Sequence, residues 1–536
     1  MRIWTKSGGL VVVAIVSCAL LLVACSPTAS SPAASGTAAP SNKPSGSLKV
    51  AAAFGNGNID PQIGTAVVFQ AIGSPILSSL VELDANAQPV PGIAERWEIS
   101  ADGLSHTFFI RKGVKFHDGS DLTGADVKFS IERIMAPECT HVDAAVWRAS
   151  IAGVDLKDDY TVVMRLKAPL FDLLKGFADL TGSPAVVPKK YIEEKGVDNF
   201  RSRPVGSGPW KVVSYERGSR LELEANENYW GAVPKFKNIT LINVTEEASI
   251  VAQLKTGELD MASVQPDSVA GLKSAGLRVF GFRGGGAYMA MAFYDMEHPD
   301  KSPLGNVKVR KALSYAVNRK EMSDKILQGY GEPAVVYPVS PKAYFFDPSV
   351  LKSDPFDPEG AKKLLTEAGY ASGFPTKVWD TAPGSLTSVL DQALTGYWRN
   401  IGVQASIQTI DYSAMVAMYV PKQKPEIWES YFPTIGVKGF QFEKMVTSYH
   451  FTKGAVKNAN NPTLDQLIDK VPVTKDLAEK KKIALEATLL AKNEFTTPSF
   501  LEVQELLALG AKIGELTPID GLRYLGPVFN TITHAK

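Results

Sequence analysis

Residues 385–411 constrain the fold more than any other stretch of this chain. "SLTSVLDQALTGYWRNIG" (385–402) carries apolar residues at helical spacing and ends on Gly402, the residue type that best accepts the left-handed turn after a helix. "VQASIQTID" (403–411) then alternates with the two-residue period of a strand. A helix that runs straight into a strand must bury its apolar stripe on a sheet, so the pair calls for helices layered on sheets. The same grammar recurs. "SIVAQLKTGELD" (249–260), "VKVRKALSYAVNRKEMSDKIL" (307–327) and "DPEGAKKLLTEAG" (357–369) read as helices, the last closed by Gly369. "LKVAAAF" (48–54), "HTFFIRKGVKF" (106–116) and "RLELEANENYW" (220–230) read as strands, the first leading into the loop "GNGNIDPQ". No unit repeats at a fixed period, which excludes a solenoid. The expected fold class is α/β, with mixed sheets flanked by helices.

A chain of 536 residues is too long for one ordinary core and calls for two or three lobes. Its 45% hydrophobic and 21% charged residues are those of a soluble globular protein. Lys+Arg 57 against Asp+Glu 56 leaves +1, so no global field draws nucleic acid or an acidic membrane surface, and neither is an expected partner.

The front of the chain stands apart. Arg2 and Lys6 precede the apolar run "GLVVVAIVSCALLLVAC" (9–25), which has the order of an export signal and is shorter than the ~20 residues a spanning helix prefers. Its end, Leu22-Val23-Ala24-Cys25, resembles the lipobox of bacterial lipoproteins. That resemblance implies a signal peptide over 1–24, lipidation at Cys25, and anchoring on the extracytoplasmic face of the membrane or in the periplasm. "SPTASSPAASGTAAPSNKPSGS" then reads as a flexible tether, 25–47, with almost no apolar bulk to bury. With Cys18 in the signal and Cys25 at the lipid site, only Cys139 remains in the body. An intramolecular disulfide and a cysteine-based zinc site are therefore excluded there, and "APECTH" reads as a loop holding a quiet thiol.

One stretch, "GVKFHDGSDLTGADVKF" (113–129), sets His117 among Asp118, Asp121 and Asp126 and invites a reading as an active or metal site. The spacing argues for turn and cap chemistry instead. Asp118-Gly119 is a hairpin signal, Thr123 precedes a helix-like run as its N-cap, and Asp126 falls near the positive helix end. None of the six histidines has another at the spacing of a metal pair, so no metal and no cofactor is expected.

The same region carries a family signature. "AERWEISADGLSHTFFIRKGVKFHDGSDLTGADVKFSIERI" (94–134) resembles the family 5 extracellular solute-binding proteins of ABC importers, which include peptide-, dipeptide- and nickel-binding proteins. The likeness continues in order through "LKVAAAFGNGNIDPQ", "VGSGPWKVVSYERGSRLELEANENYWGAVPKFKNITL" (205–241), "LKTGELDMA" (254–262), "NVKVRKALSYAVNRKEM" (306–322), "FDPEGAKKLLTEAGY" (356–370) and "NPTLDQLIDK" (461–470). The resemblance implies a two-lobed, periplasmic-binding-protein-like clamp of the class with an extra inserted subdomain. Its parts would be lobe 1 from 48–76, 201–282 and the tail 499–536, an inserted subdomain over 77–200, and lobe 2 over 283–498. Two strands would cross between lobes, near "FRGGGAYMAMAF" and "PSFLEVQELLALG", and hinge closure would enclose the ligand.

Peptide-binding relatives carry a Trp-x-x-Asp-Tyr-Pro-Asp-Pro type segment whose first Asp pairs with the peptide's α-ammonium. Here the segment is Trp428-Glu429-Ser430-Tyr431-Phe432-Pro433-Thr434. Tyr431 stands where the anchoring Asp would be, and a phenol supplies no fixed negative charge for a buried ammonium. Glu429 would point to the opposite strand face unless the register slips. An ordinary free-amine peptide is thus disfavoured. The expected ligand wall is aromatic: Phe54, Tyr288, Trp379, Trp428, Tyr431 and Phe432, suited to a neutral, flat or sugar-like solute. Arg283, ahead of Gly284-Gly285-Gly286, is a candidate for a ligand carboxylate or a surface ion pair, and His450 in "SYHFTKG" is a weaker candidate for contact with a metal chelate.

The expected function is capture of a small organic solute and its delivery to ABC permease subunits by a lipid-anchored monomer that performs no catalysis. The alternatives are a peptide-binding member of the same family, a partner of a sensory receptor, and a secreted hydrolase. The last lacks support, since neither G-x-S-x-G nor H-E-x-x-H occurs.

Overall fold

The computed structural model describes residues 43–52, 54, 57–63, 72–84, 89–141, 144–171, 173–174, 185–337, 339, 341, 343–411, 414, 429–437, 452, 460–516 and 529–535. Within these, the side chains of 83, 145–146, 283–286 and 434–437 are not described. Cys25, Trp428 and His450 lie outside the described residues. Lys43–Lys536 is one compact unit.

The helix-to-strand grammar is met where it is strongest. Helix Leu386–Asn400 buries Leu390, Leu394 and Trp398 and is capped at its start by Ser385. Gly402 then takes φ +93°, in the region that suits a residue without Cβ. The next strand, Gln404–Thr409, pairs in parallel with Pro375–Asp380, the strand that precedes the helix. Strand, helix and parallel strand form one crossover unit with the helix on the sheet's face. The expected single helix over 307–327 is instead two, Val307–Tyr315 and Arg319–Lys325. The first ends at its C-cap Ala316, and Asn318 starts the second, its Oδ1 accepting the Glu321 N–H at 3.1 Å. A side chain that offers the backbone a cap outcompetes an unbroken apolar period.

Among the described residues, eleven strands make one sheet. Its order is Gln404–Thr409, Pro375–Asp380, Ser430–Val437, Arg278–Phe293, Ser499–Leu509, Met261–Ser263, Ser45–Ala51, Phe236–Ile242, Arg220–Ala225 and Trp210–Glu216, with Gly331–Pro333 also paired to Ser499–Leu509. The two long strands, of 16 and 11 residues, run antiparallel through its middle. Their ladder shifts register between Phe282 and Gly286 and again between Tyr288 and Met289, in keeping with a bulge that bends and twists the strand. These strands join two cores. Phe282, Leu507 and Leu509 pack with Leu48, Phe54, Trp210 and Leu241. Tyr288, Phe500, Leu501 and Val503 pack with Leu313, Leu394, Trp398 and Tyr431.

A separate four-stranded antiparallel sheet, Ala94–Ile99, Ser105–Ile110, Thr161–Leu166 and Ile151–Asp158 in spatial order, holds its own core of Phe108, Ile110, Val127, Ile131 and Met164. Its helix Gly124–Met135 begins with Thr123, whose N–H donates to Asp126 Oδ2 at 2.9 Å. Asp126 Oδ1 also accepts the Lys189 N–H at 3.0 Å, so the expected first-turn charge fastens a second segment as well.

Asp60, in the loop after the first strand, ties these parts together. It is fully buried, and Arg133 from helix Gly124–Met135 reaches both its oxygens at 3.2 and 3.1 Å. Arg201 adds Nε at 3.2 Å from helix Val197–Ser202. Gln62 donates Nε2–H to the Arg133 carbonyl at 2.9 Å, and its own carbonyl accepts the Cys139 thiol at 3.0 Å. Burial pushes that thiol's pKa up. Replacing Asp60 with Ala strands two guanidinium groups around an empty position. The expected cost is about 3 kcal/mol of unfolding free energy by urea denaturation, with Arg201→Ala, which removes the more exposed partner, costing less.

Candidate functional site

The crossing strand Arg278–Phe293 has two faces, and its alternation decides what each residue can touch. Tyr288, Ala290 and Ala292 face the core that contains Leu394 and Trp398. Ala287, Met289, Met291 and Phe293 face the other way and cluster with Tyr337 and Phe432, with Trp379 and Ile410 packed against them. The neighbouring strand matches this division, because Phe432 lies opposite Met291 and Tyr431 opposite Ala292.

Glu429 sets that register. Its φ is +68°, uncommon for a residue with a Cβ. The Glu429 N–H donates to the Phe293 carbonyl at 2.9 Å, and its own carbonyl accepts the Thr376 hydroxyl at 3.0 Å. The turned residue delivers Ser430 and Phe432 to one face and Tyr431 to the other, and leaves the Glu429 side chain exposed. Ser430, buried at the strand start, accepts the Trp379 indole N–H on its Oγ at 3.1 Å. The half-buried Trp379 ring is thereby held from its polar edge, packed against the cluster with the Lys377 ammonium 5.9 Å from its centre.

The sequence-derived candidates therefore divide. Trp379 and Phe432 come together in the cluster with Met289 and Met291. Tyr288 and Tyr431 come together on the helix-covered face: Tyr431 is fully buried with its ring 4.8 Å from Trp398, and Tyr288 lies 5.9 Å from Phe500. Phe54 is fully buried in the core of Leu48 and Trp210, its N–H donating to Asn243 Oδ1 at 3.3 Å. Arg283 lies in the strand where the ladder shifts, and its side chain is not described. Met289, Met291 and Tyr337 are not among the residues the sequence singles out. The alternation of "AYMAMAF" after Gly286 carries the signal for the methionines, and Tyr337 has none.

Tyr288 donates its hydroxyl to Asp391 Oδ1 at 2.7 Å inside the core. Burial, then the Asp391 charge, raises the Tyr288 phenol well above its usual range. Burial pushes Asp391 up to about 7, opposed by the Tyr288 hydrogen bond and aided by the Asp380 charge.

The stretch around His117 forms the turn its spacing predicts. Asp118 Oδ1 accepts the Ser120 N–H at 3.0 Å, and Gly119 takes φ +89°. His117 Nδ1 accepts the Gly206 N–H at 3.2 Å, which leaves Nε2–H to donate to the Gly208 carbonyl at 3.0 Å. Both ring nitrogens are spent on holding the "VGSGPW" loop. Burial lowers this ring to about 4. Among the described residues, no three His, Cys, Asp or Glu side chains gather as a metal site, and no helix is long and apolar enough to cross a membrane.

This geometry makes two stability measurements predictable. Ser430→Ala leaves the Trp379 N–H without its acceptor and costs about 1 kcal/mol, read by urea unfolding. His117 binds its proton more weakly in the fold than when unfolded, so its contribution is complete above about pH 6.5 and is lost as pH falls toward about 4. A His117→Gln variant, with no titrating ring, shows a shallower acid loss over that window in pH-dependent unfolding.

Comparison with known proteins adds the lineage. The profile described as "Bacterial extracellular solute-binding proteins, family 5 Middle" matches residues 88–441. The glutathione-binding protein GsiB of Salmonella choleraesuis is 30% identical over 375 residues, covering 69% of this chain and 70% of that protein. The heme-binding protein A of Haemophilus influenzae is 27% identical over 463 residues, covering 80% and 81%. Among solved structures, the ABC transporter substrate binding protein CtaP from Listeria monocytogenes superposes with TM-score 0.78 at 22% identity, over 92% of this chain and 100% of that one. The periplasmic binding protein DppA from Helicobacter pylori, in complex with the peptide STSA, gives 0.77 at 19%, over 92% and 99%. The fold is thus that of the ABC-transporter binding proteins.

Proposed function

The chain belongs to the bacterial extracellular solute-binding proteins, family 5, and from that premise we propose that it captures a small, ring-bearing or neutral organic solute and passes it unchanged to the permease subunits of an ABC importer. Family membership itself makes the chain an extracytoplasmic solute-binding component of such a transporter. The finer reading has lobe 1 and lobe 2 closing about the two crossing strands, the solute held against the face of Phe432 and Trp379, and the body acting as a monomer tethered through lipid at Cys25. No covalent chemistry is assigned to it.

The observation that carries the ligand reading is the composition of one sheet face. The cluster of Ala287, Met289, Met291, Phe293, Tyr337 and Phe432, with Trp379 and Ile410, gathers rings and thioethers on one face, with charge at its borders: the Lys377 ammonium lies 5.9 Å from the Trp379 ring and the buried Glu502 pairs opposite Ala287. Tyr431, which the family register sets against the peptide-anchoring Asp, has its ring in the opposite core, and a phenol there supplies no fixed charge to a ligand ammonium. Thioethers and rings make a surface that adapts to flat apolar shapes. The Trp379 N–H is already used by Ser430, so this residue recognises by ring contact rather than by donating.

The test is purification of the body without residues 1–25, native mass spectrometry for a co-purifying molecule, and a thermal-shift panel. The panel contains free-amine tripeptides, glutathione, hemin, sugars and aromatic acids. A ligand at about 100 times its Kd stabilises by ~2.7 kcal/mol through mass action, so a true ligand raises Tm clearly. An aromatic or neutral compound is expected to do so, with Trp379→Ala weakening its binding about tenfold or more. Strong stabilisation by plain tripeptides overturns the ligand reading. Turnover of the bound compound on long incubation overturns the transport reading in favour of an enzyme.

A further inference from the structure

We propose that Asp391 is a proton-operated latch between helix Leu386–Asn400 and the crossing strand Arg278–Phe293. Its side chain is fully buried in the middle of the helix. One oxygen accepts the Tyr288 hydroxyl at 2.7 Å, and the other has no hydrogen-bond partner. A second carboxylate, Asp380, is buried at the end of strand Pro375–Asp380 and raises the cost of charge on Asp391. Asp380 itself accepts the Ala382 N–H at 2.9 Å.

Among the described residues, the groups that act on Asp391 include no cation. The crossing strand contributes Tyr288; Tyr431 on strand Ser430–Val437 lies farther along, opposite Ala292, where Arg310 from helix Val307–Tyr315 acts on it while donating to the Glu494 and Leu304 carbonyls. Strand Gln404–Thr409 has no titratable residue. On its own helix, Arg399 is engaged with the Ala405 carbonyl and the Thr395 hydroxyl, and Tyr397 with Glu321. Arg319 lies across Phe500, 5.1 Å from that ring, and is spent on Ser314, the Ser499 carbonyl and Asp354. A carboxylate with one donor, one bare oxygen and a like charge nearby is costly to ionise, whereas the acid form keeps the Tyr288 bond without a buried charge.

Burial raises Asp391 in the fold from 3.8 to about 7. The folded chain therefore holds this proton more tightly than the unfolded one, and the latch favours the fold fully below about 4. Its contribution fades as pH rises and is gone above about 7. The strand it grips carries Ala287 and Met289, on either side of Tyr288 in sequence, on the opposite face. Release is thus felt by the strand that supports the proposed solute wall.

Urea-unfolding midpoints of the full chain, measured from about pH 4.5 to about pH 8.5, test the latch. The midpoint of Asp391→Asn, relative to the unaltered protein, should climb steadily as pH rises toward about 7 and then level. Comparing proteins at each pH cancels the opposite slope from His117. Asp380→Asn removes the like charge and should move the step to lower pH, and Tyr288→Phe removes the donor that favours the ionised form and should move it to higher pH. If Asp391→Asn does not fold, these opposed shifts decide the matter. Parallel midpoint curves for Asp391→Asn and the unaltered protein overturn the proposal, as do steps that stay put or move together in the other two variants.

Discussion

The two-sidedness of one long strand governs this protein. Arg278–Phe293 runs through the middle of the sheet, and each of its residues must serve one face or the other. Tyr288, Ala290 and Ala292 serve the helix-covered core, where only small residues or a hydrogen-bonded phenol fit beneath Leu394 and Trp398. Ala287, Met289, Met291 and Phe293 serve the second face with Phe432 and Tyr337. Antiparallel pairing carries the division to strand Ser430–Val437 residue by residue. A slip by one position would exchange the faces and place the Tyr431 phenol among the methionines. Glu429, held in a left-handed turn by bonds to two neighbouring strands, guards against that slip.

The polar residues that look most like chemistry mostly hold segments together. Asp60 is buried among arginines that come from separate helices, His117 spends both ring nitrogens on one loop, and Asp126 fixes a helix start and a second segment at once. In each case a buried or half-buried polar group is tolerated because its hydrogen-bonding capacity is met. Asp391 departs from that pattern, with one oxygen bonded and one bare, and the departure marks it as a place where a proton can be exchanged.

How much was legible depended on how local the signal was. Gly369 and Gly402 ended their helices where the periods ended, with φ of +88° and +93°, because a helix stop is decided within a few residues. The reading failed within 307–327, where the apolar period ran on but Asn318 capped a new helix. The aromatic candidates were chosen by residue type and family register. Residue type does not say which face of a sheet a ring occupies, and so Trp379 and Phe432 fell into one cluster while Tyr288 and Tyr431 fell into another.

By itself, then, the sequence determined the layered α/β class, the turn and cap around His117 and Thr123, and the solute-binding lineage. Those rest on periods, short-range caps and residue identity, all of which are written along the chain. Tertiary structure alone decided which side of the crossing strand each ring occupies, that Tyr288 meets a carboxylate 103 positions away, and that Asp60 gathers Arg133 and Arg201. Such contacts depend on register and on the packing of distant segments. A buried charge acquires its meaning only from the groups that folding brings, or fails to bring, beside it.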